Sequence, residues 1–183
     1  MAMRLSKGTR LVLLGIVLVV IDQVIKVLVK THMSLGDQIY VIGNWFRLCF
    51  VENEGMAFGM KFGGTVGKLL LSLFRIVLCG ALVWWIRSLY RKEKAPTGVL
   101  VGLTLITAGA FGNILDSLFY GVIWGYAPLL FGRVVDMFYF PLIHDAAGKV
   151  IFFSPVFNFA DSCVTVGAFY LLLFQWRFFS KGE

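Results

Sequence analysis

The stretch Leu11-Val12-Leu13-Leu14-Gly15-Ile16-Val17-Leu18-Val19-Val20-Ile21-Asp22-Gln23-Val24-Ile25-Lys26-Val27-Leu28-Val29 is apolar apart from Asp22, Gln23 and Lys26. A helix needs about 20 such residues to cross the hydrocarbon core of a bilayer. Arg4, Lys7 and Arg10 precede the run as in a signal peptide, but no small-x-small cleavage site follows it, so an uncleaved first span is expected. Three further runs, 66–86, 97–115 and 157–176, have comparable length and polarity. The whole chain is 59% hydrophobic and 15% charged, with a mean hydropathy of +0.85, too apolar for a domain whose surface is wetted. The expectation is a membrane all-α protein: a single integral membrane domain over 1–183 with four transmembrane helices.

The net charge of +7 does not call for a nucleic-acid partner, because the cations flank the apolar runs. With both termini on the cytoplasmic side, the short inner segments 1–10, 87–94 and 177–183 carry Arg4, Lys7, Arg10, Arg87, Arg91, Lys92, Lys94, Arg177 and Lys181. The much longer outer segments 30–68 and 117–156 carry only Lys30, Arg47, Lys61, Lys68, Arg133 and Lys149, which is a positive-inside bias. In the first outer segment, Ile39 to Ile42, a Gly43-Asn44 turn and Trp45 to Val51 read as a small extracytoplasmic antiparallel β-sheet within 34–64. The second, with Phe119, Tyr120, Trp124, Tyr126, Phe131, Phe138, Tyr139 and Phe140 before a turn near Ala146-Ala147-Gly148, reads as an interfacial aromatic-rich loop. The extended connection 139–156 has no assignable role.

Ionisable groups within apolar sequence usually face a protein interior or wet cavity and mark function. Asp136 lies in Val134-Val135-Asp136 and Asp161 in Phe157-Asn158-Phe159-Ala160-Asp161. Two carboxylates brought together repel, so one holds a proton while the other stays ionised, the arrangement of an acid and a base in one site. Asp22 and Lys26, four apart, share a helix face in the outer half of the first span, and Asn113 with Asp116, and Asn158 with Asp161, fall at the outer ends of two others. Arg75 lies near mid-depth in the second span, within reach of a carboxylate or a substrate carbonyl. Structural readings stand beside these: Asp22–Lys26 as a plain ion pair, Asn113 as an interhelical hydrogen-bonding group, Asp116 as the residue where its span meets water, and Arg75 as a partner for an acidic neighbour.

Cys49, Cys79 and Cys163 form no CxxC and read as packing residues. The two histidines, His32 and His144, sit in polar connections, which excludes a thiol or a rhomboid-like serine enzyme. No metal-ligand spacing or cofactor motif is present. A proton-coupled transporter using Asp22, Asp116, Asp136 and Asp161 as a relay fits poorly with acids confined to one leaflet, and the Gly-x-Gly-Asp motif of presenilin-type proteases is missing.

Asp22-Gln23 with Lys26, Asn53-Glu54-Gly55-Met56-Ala57-Phe58-Gly59, Gly112-Asn113 with Asp116, Val134-Val135-Asp136 and Phe157-Asn158-Phe159-Ala160-Asp161-Ser162 together resemble the lipoprotein signal peptidases, the type II signal peptidases of bacteria, over nearly the whole chain. The resemblance implies an aspartyl endopeptidase that cuts signal peptides from prolipoproteins just before a diacylglyceryl-modified cysteine, with no metal or cofactor. It places the catalytic pair on Asp136 and Asp161. Substrate-binding or site-shaping roles fall on Asp22, Lys26, Asn53, Gly55, Asn113, Asp116 and Asn158. Implied partners are the lipid-modified prolipoprotein, membrane lipid and globomycin-like cyclic peptide inhibitors; no oligomer is implied. The location implied is the bacterial cytoplasmic (inner) membrane, with the active site near the outer leaflet. Where the family commonly has an arginine after the Gly-Asn-x-x-Asp aspartate this chain has Ser117, and Arg75 or Arg133 is the candidate substitute.

Overall fold

A computed structural model describes residues 5–54, 64–144, 150–152 and 155–180. Helix α1 (Lys7–His32) starts where the Ser6 side chain accepts the Thr9 amide, satisfying one of the free donors of the first turn. It is followed by strands β1 (Gln38–Ile42) and β2 (Phe46–Asn53), then α2 (Gly64–Arg91) and α3 (Thr97–Leu115). A π-helical turn (Asp116–Tyr120) and the short α4 (Gly121–Ile123) extend α3. After β3 (Val134–Tyr139), β4 (Ile143–His144), β5 (Val150–Phe152) and β6 (Val156–Phe157), the chain ends in α5 (Phe159–Phe174) and α6 (Trp176–Ser180).

Among the described residues three helices are long and apolar enough to cross a membrane: Lys7–His32, Gly64–Arg91 and the continuous Thr97–Ile123. The run expected over 157–176 gives α5, a shorter apolar helix of 16 residues, broken at Gln175 before α6. The third run is longer than read from the sequence. Asp116 does not end it at water: its side chain is fully buried against Lys26, so the charge needs no solvent and the helix continues through Leu118 and Phe119 to Ile123. The segment 117–123 is therefore helical rather than loop.

Helix α3 is the axis of the bundle, touching α1, α2 and α5. Its contact with α5 is close because Gly109 carries no side chain: a Cβ there would stand 2.3 Å from the Ala160 carbonyl oxygen. Small residues at such crossings let backbones approach where no hydrophobic drive separates lipid from protein. One apolar core, with Leu11, Val99, Leu100, Leu103 and Leu171, binds the helices at the end away from the sheet. A second, with Val29, Phe50, Tyr120, Val135 and Met137, joins α1 to the sheet.

The β1–β2 hairpin turns at Gly43, whose φ of +50° suits glycine. The sheet is antiparallel with order β1-β2-β3-β6, so half of it comes from the second long connection rather than from 34–64 alone. Register Val51↔Asp136 places Asp136 against β2, and Phe138↔Phe157 brings β3 beside the residue that precedes the Asn158 cap of α5. β4 and β5 form a separate two-stranded pair within the extended connection. The turn expected near Ala146-Ala147-Gly148 and the motif residues 55–59 lie outside the described residues.

Gly109→Val forces α3 and α5 apart at the level of Ala160, one residue from Asp161. We expect the overpacking to cost about 1–3 kcal/mol, lowering the thermal midpoint of the detergent-solubilised protein by about 3–10 °C with a parallel loss of activity. An unchanged midpoint refutes the close crossing.

Candidate active site

Four segments converge at the sheet end of the bundle, and a buried lysine joins them. Lys26 is fully buried, and its Nζ lies 2.9 Å from Asp22 Oδ2, 2.7 Å from Asp116 Oδ2 and 2.8 Å from Asn113 Oδ1. An ammonium has three protons, and each has an acceptor here. Each of these acceptors in turn holds part of the remaining site. Asp22 Oδ1 accepts the Ala160 amide at 2.9 Å, in the first turn of α5. Asp116 Oδ2 accepts the Val135 amide at 3.3 Å, beside Asp136 on β3. Asn113 Nδ2 donates to Asp161 Oδ1 at 2.8 Å. Removing a partner from such a buried ionic group leaves a charge uncompensated, which is far costlier than losing a surface pair.

Asp136 and Asp161 are linked through Asn158, which is fully buried. Asn158 donates through Nδ2 to Asp136 Oδ1 at 2.6 Å and to Asn113 Oδ1 at 3.1 Å. Its Oδ1 accepts the Asp161 amide at 2.9 Å, while its own amide donates to Asp161 Oδ2 at 3.2 Å, a capping box at the start of α5. Asn53 Nδ2 donates to Asp136 Oδ2 at 3.2 Å. Burial, and then the negative charge of Asp161, push the Asp136 carboxyl up to about 7; the hydrogen bonds from Asn53 and Asn158 pull it down.

Arg75, on α2, donates through Nη1 to Ser117 Oγ at 3.3 Å and sits within the electrostatic reach of Asp161, Asp136 and Asp116. Arg133 precedes β3 on the strand face opposite Asp136 and pairs with Glu52 at 3.2 Å and Glu54 at 3.9 Å; Lys30 also pairs with Glu52. The structure thus gathers Asp22, Lys26, Asn53, Asn113, Asp116, Asp136, Asn158 and Asp161 in one network, with Arg75 at its edge and Arg133 outside it. Gly55 lies outside the described residues. Cys49, Cys79 and Cys163 are buried and unpaired. Among the described residues no three His, Cys, Asp or Glu side chains gather as metal ligands do.

Sequence reasoning named Gln23 in the Asp22-Gln23 motif and Tyr120 among the interfacial aromatics but gave neither a place in the site. Gln23 Nε2 donates to Asp22 Oδ2, to Asp116 Oδ1 at 2.9 Å and to the Gly112 carbonyl, and its Oε1 accepts the Tyr120 hydroxyl at 3.2 Å. Tyr120 stands four residues after Asp116, a helical spacing that was available once the helix was read past 115.

Residues 14–177 match the family described as Signal peptidase (SPase) II. The chain belongs to the lipoprotein signal peptidases. A lipoprotein signal peptidase of Porphyromonas gingivalis is 45% identical over 194 aligned positions, covering 93% of this chain and 84% of the relative. One of Chlorobaculum tepidum is 33% identical, covering 92% and 95%. A solved structure titled "Bacterial membrane enzyme structure by the in meso method at 2.3 A resolution" superposes with a TM-score of 0.68 at 26% identity, covering 96% of this chain and 92% of the other. The family is one of bacterial membrane peptidases, and its function, cleavage of signal peptides from prolipoproteins, is that of this chain.

Lys26→Met leaves Asp22 and Asp116 without their shared cation and is expected to cost about 3–5 kcal/mol, seen as loss of folded protein in membrane extracts and a lowered thermal midpoint. Wild-type stability in this variant contradicts the buried ionic hub.

Proposed function

We propose that the peptidase is of the aspartic type, with Asp136 and Asp161 as the water-activating pair. The observation that supports this most is the shared asparagine: Asn158 contacts carboxyls carried by two different elements, while burial and, after it, the charge of Asp161 hold Asp136 up to about 7. The pair then carries one proton at neutral pH, titrating as a unit. Asp136 is the partner that holds this proton at rest. Asp161, which accepts two hydrogen bonds in the first turn of α5, is the base.

In the proposed reaction a water lies between the two carboxyls. Asp161 takes its proton as the oxygen adds to the scissile carbonyl carbon, while protonated Asp136 donates a hydrogen bond to the carbonyl oxygen. When the tetrahedral intermediate collapses, the C–N bond breaks and a proton passes from the pair to the leaving amine. The signal peptide departs with a new carboxylate, and the cysteine is left with a free amino group. No metal or cofactor enters this scheme.

The substrate is a prolipoprotein whose cysteine already bears diacylglycerol. Acyl chains in the membrane fix the depth of the scissile bond near the interface, each buried methylene contributing about 0.8 kcal/mol. The chain is one integral membrane domain with four spans, α5 being the fourth, and both termini in the cytoplasm. This puts the pair near the outer leaflet of the inner membrane, beneath the sheet and the interfacial aromatic loop. Asn53, Asn113 and Asn158 orient the carboxyls, Asp22, Lys26 and Asp116 fix the elements that carry them, and Arg133 contributes to the rim; Gly55 keeps the substrate-binding or site-shaping role that the family motif implies. Arg75 supplies the cation that Ser117 lacks, reaching the substrate backbone from α2. Globomycin-like cyclic peptides compete for the same cleft.

Mixing the purified protein with a diacylglyceryl-modified prolipoprotein and with its unlipidated form is expected to cleave only the first. Asp136→Asn and Asp161→Asn each lower turnover by about 10²–10⁴-fold with binding retained, and near-normal turnover in either sinks the assignment. Arg75→Ala is expected to raise KM more than it lowers kcat; unchanged kinetics exclude Arg75 as the substitute cation. The pH profile gives a separate check. A carboxyl raised to about 7 keeps its proton below that pH and loses it above, so kcat/KM falls as pH rises through about 7. The Asn53 hydrogen bond lowers the Asp136 value, so Asn53→Ala moves this alkaline limb to higher pH, and a limb moving the other way contradicts the role of Asp136.

A further inference from the structure

Below the aspartates and reaching to the opposite end of the bundle, α1 and α2 both lean on α3 and leave a groove between them of about 590 Å³. Its floor is Gly15, Thr104, Thr107 and Ala108, and its walls include Ile16 and Val83. The threonines add no polarity, because Thr104 Oγ1 donates to the Leu100 carbonyl at 2.7 Å and Thr107 Oγ1 to the Leu103 carbonyl at 2.8 Å, leaving their methyls to face the cavity. The groove follows α1 from Gly8 to Val20, about 18 Å at helical rise. Tyr90 lies over Gly8 at its far end, and Arg87 lines that same end.

Charge selects the occupant. Arg87 lines the groove, and the other described cations of the helix ends on that side are Lys7, Arg10, Arg91, Lys92, Lys94 and Arg177, with Glu93 the one described acid there. On the orientation proposed above, a bound signal peptide presents its basic n-region to this same end, where like charges oppose it. Basic pockets between membrane helices at the cytoplasmic side instead complement lipid phosphates.

The geometry points to a binding site for an anionic phospholipid of the inner leaflet, one acyl chain lying in the α1–α2–α3 groove and the phosphate meeting the Arg87 guanidinium beside the Tyr90 hydroxyl. The site is separate from the peptidase centre: none of Asp22, Lys26, Asn113, Asp116, Asp136, Asn158 and Asp161 lines the groove, whose lining stops at Val20 and Phe111, each two residues short of Asp22 and Asn113.

The test is native mass spectrometry of the full chain released from nanodiscs holding equal phosphatidylglycerol and phosphatidylcholine of matched chains. The wild type is expected to retain one phosphatidylglycerol in preference to phosphatidylcholine by about fivefold, the effect of one cation near a lipid phosphate, and Arg87→Gln to lose that preference. Gly15→Leu fills the floor and retains neither lipid. A Cβ at Gly15 meets only Thr104 Cγ2 at 3.6 Å, an ordinary contact, so the backbone has no reason to move. Ile16→Trp, on an exposed wall position, serves where that variant does not fold.

Equal retention of both lipids by the wild type overturns the proposal, as does a preference untouched by Arg87→Gln. Displacement of the lipid by an unlipidated signal-peptide helix assigns the groove to substrate and overturns it; so does a dimer that Gly15→Leu dissolves. Lipid retention is read without cleavage, so this outcome is independent of whether the aspartic mechanism holds.

Discussion

The structure depends on where the Lys26 ammonium sits. A cation with no exposure inside a bundle is tolerable only if all of its protons are matched, and here they are met by two carboxylates and an amide. What makes the arrangement more than a paid-up ion pair is that each acceptor has a second task. Asp22 holds the backbone at the head of α5, Asp116 holds the backbone of β3, and Asn113 holds the Asp161 side chain. The elements bearing Asp136 and Asp161 are thereby referred to one point, though they come from a strand and a helix well separated from α1 in the chain. Gly112 fits the same constraint, since a Cβ there would collide with the Asp22 carboxylate at 2.5 Å.

The sheet is the second half of that frame. β2 takes β1 on one side and β3 on the other, and β6 delivers the chain directly into Asn158 and α5. Asp136 is thus fixed by strand register and Asp161 by a helix cap, two kinds of constraint that meet in one asparagine side chain. Aromatic rings brace the junction: Phe46 stacks on Phe140 with centroids 4.6 Å apart, and Phe140 on Phe157 at 5.8 Å.

Much of the site was legible because helical periodicity does the placing. Asp22 and Lys26, and Asn113 and Asp116, are three or four apart within helices, so each pair faces one way, and Asn158 and Asp161 are spaced as the cap and third residue of a capping box. Long-range pairing was not legible in that way. Nothing local to Val134–Tyr139 or Val156–Phe157 says that they complete a sheet begun at Gln38, and nothing near Ala160 says that its amide belongs to Asp22. Asp116 misled for a related reason. A charged residue at the end of an apolar run reads as contact with water, but its counter-charge lay on another helix, and so the π-helical turn and the extension to Ile123 stayed hidden.

Helix α5 has only 16 residues, about 24 Å, against a hydrocarbon core of about 30 Å. On the four-span reading that shortfall has to be absorbed by the bilayer, which thins around a short span at a modest cost per ångström. Its first turn carries Asp161, so the thinning draws headgroups and water down on the side where the carboxyls lie. A hydrolase embedded in lipid needs a supply of water as much as it needs a base. With four spans and the proposed pair, a local dimple around an undersized helix would bring both the interface and the peptide bond to the depth of the carboxyls, without a channel through the protein.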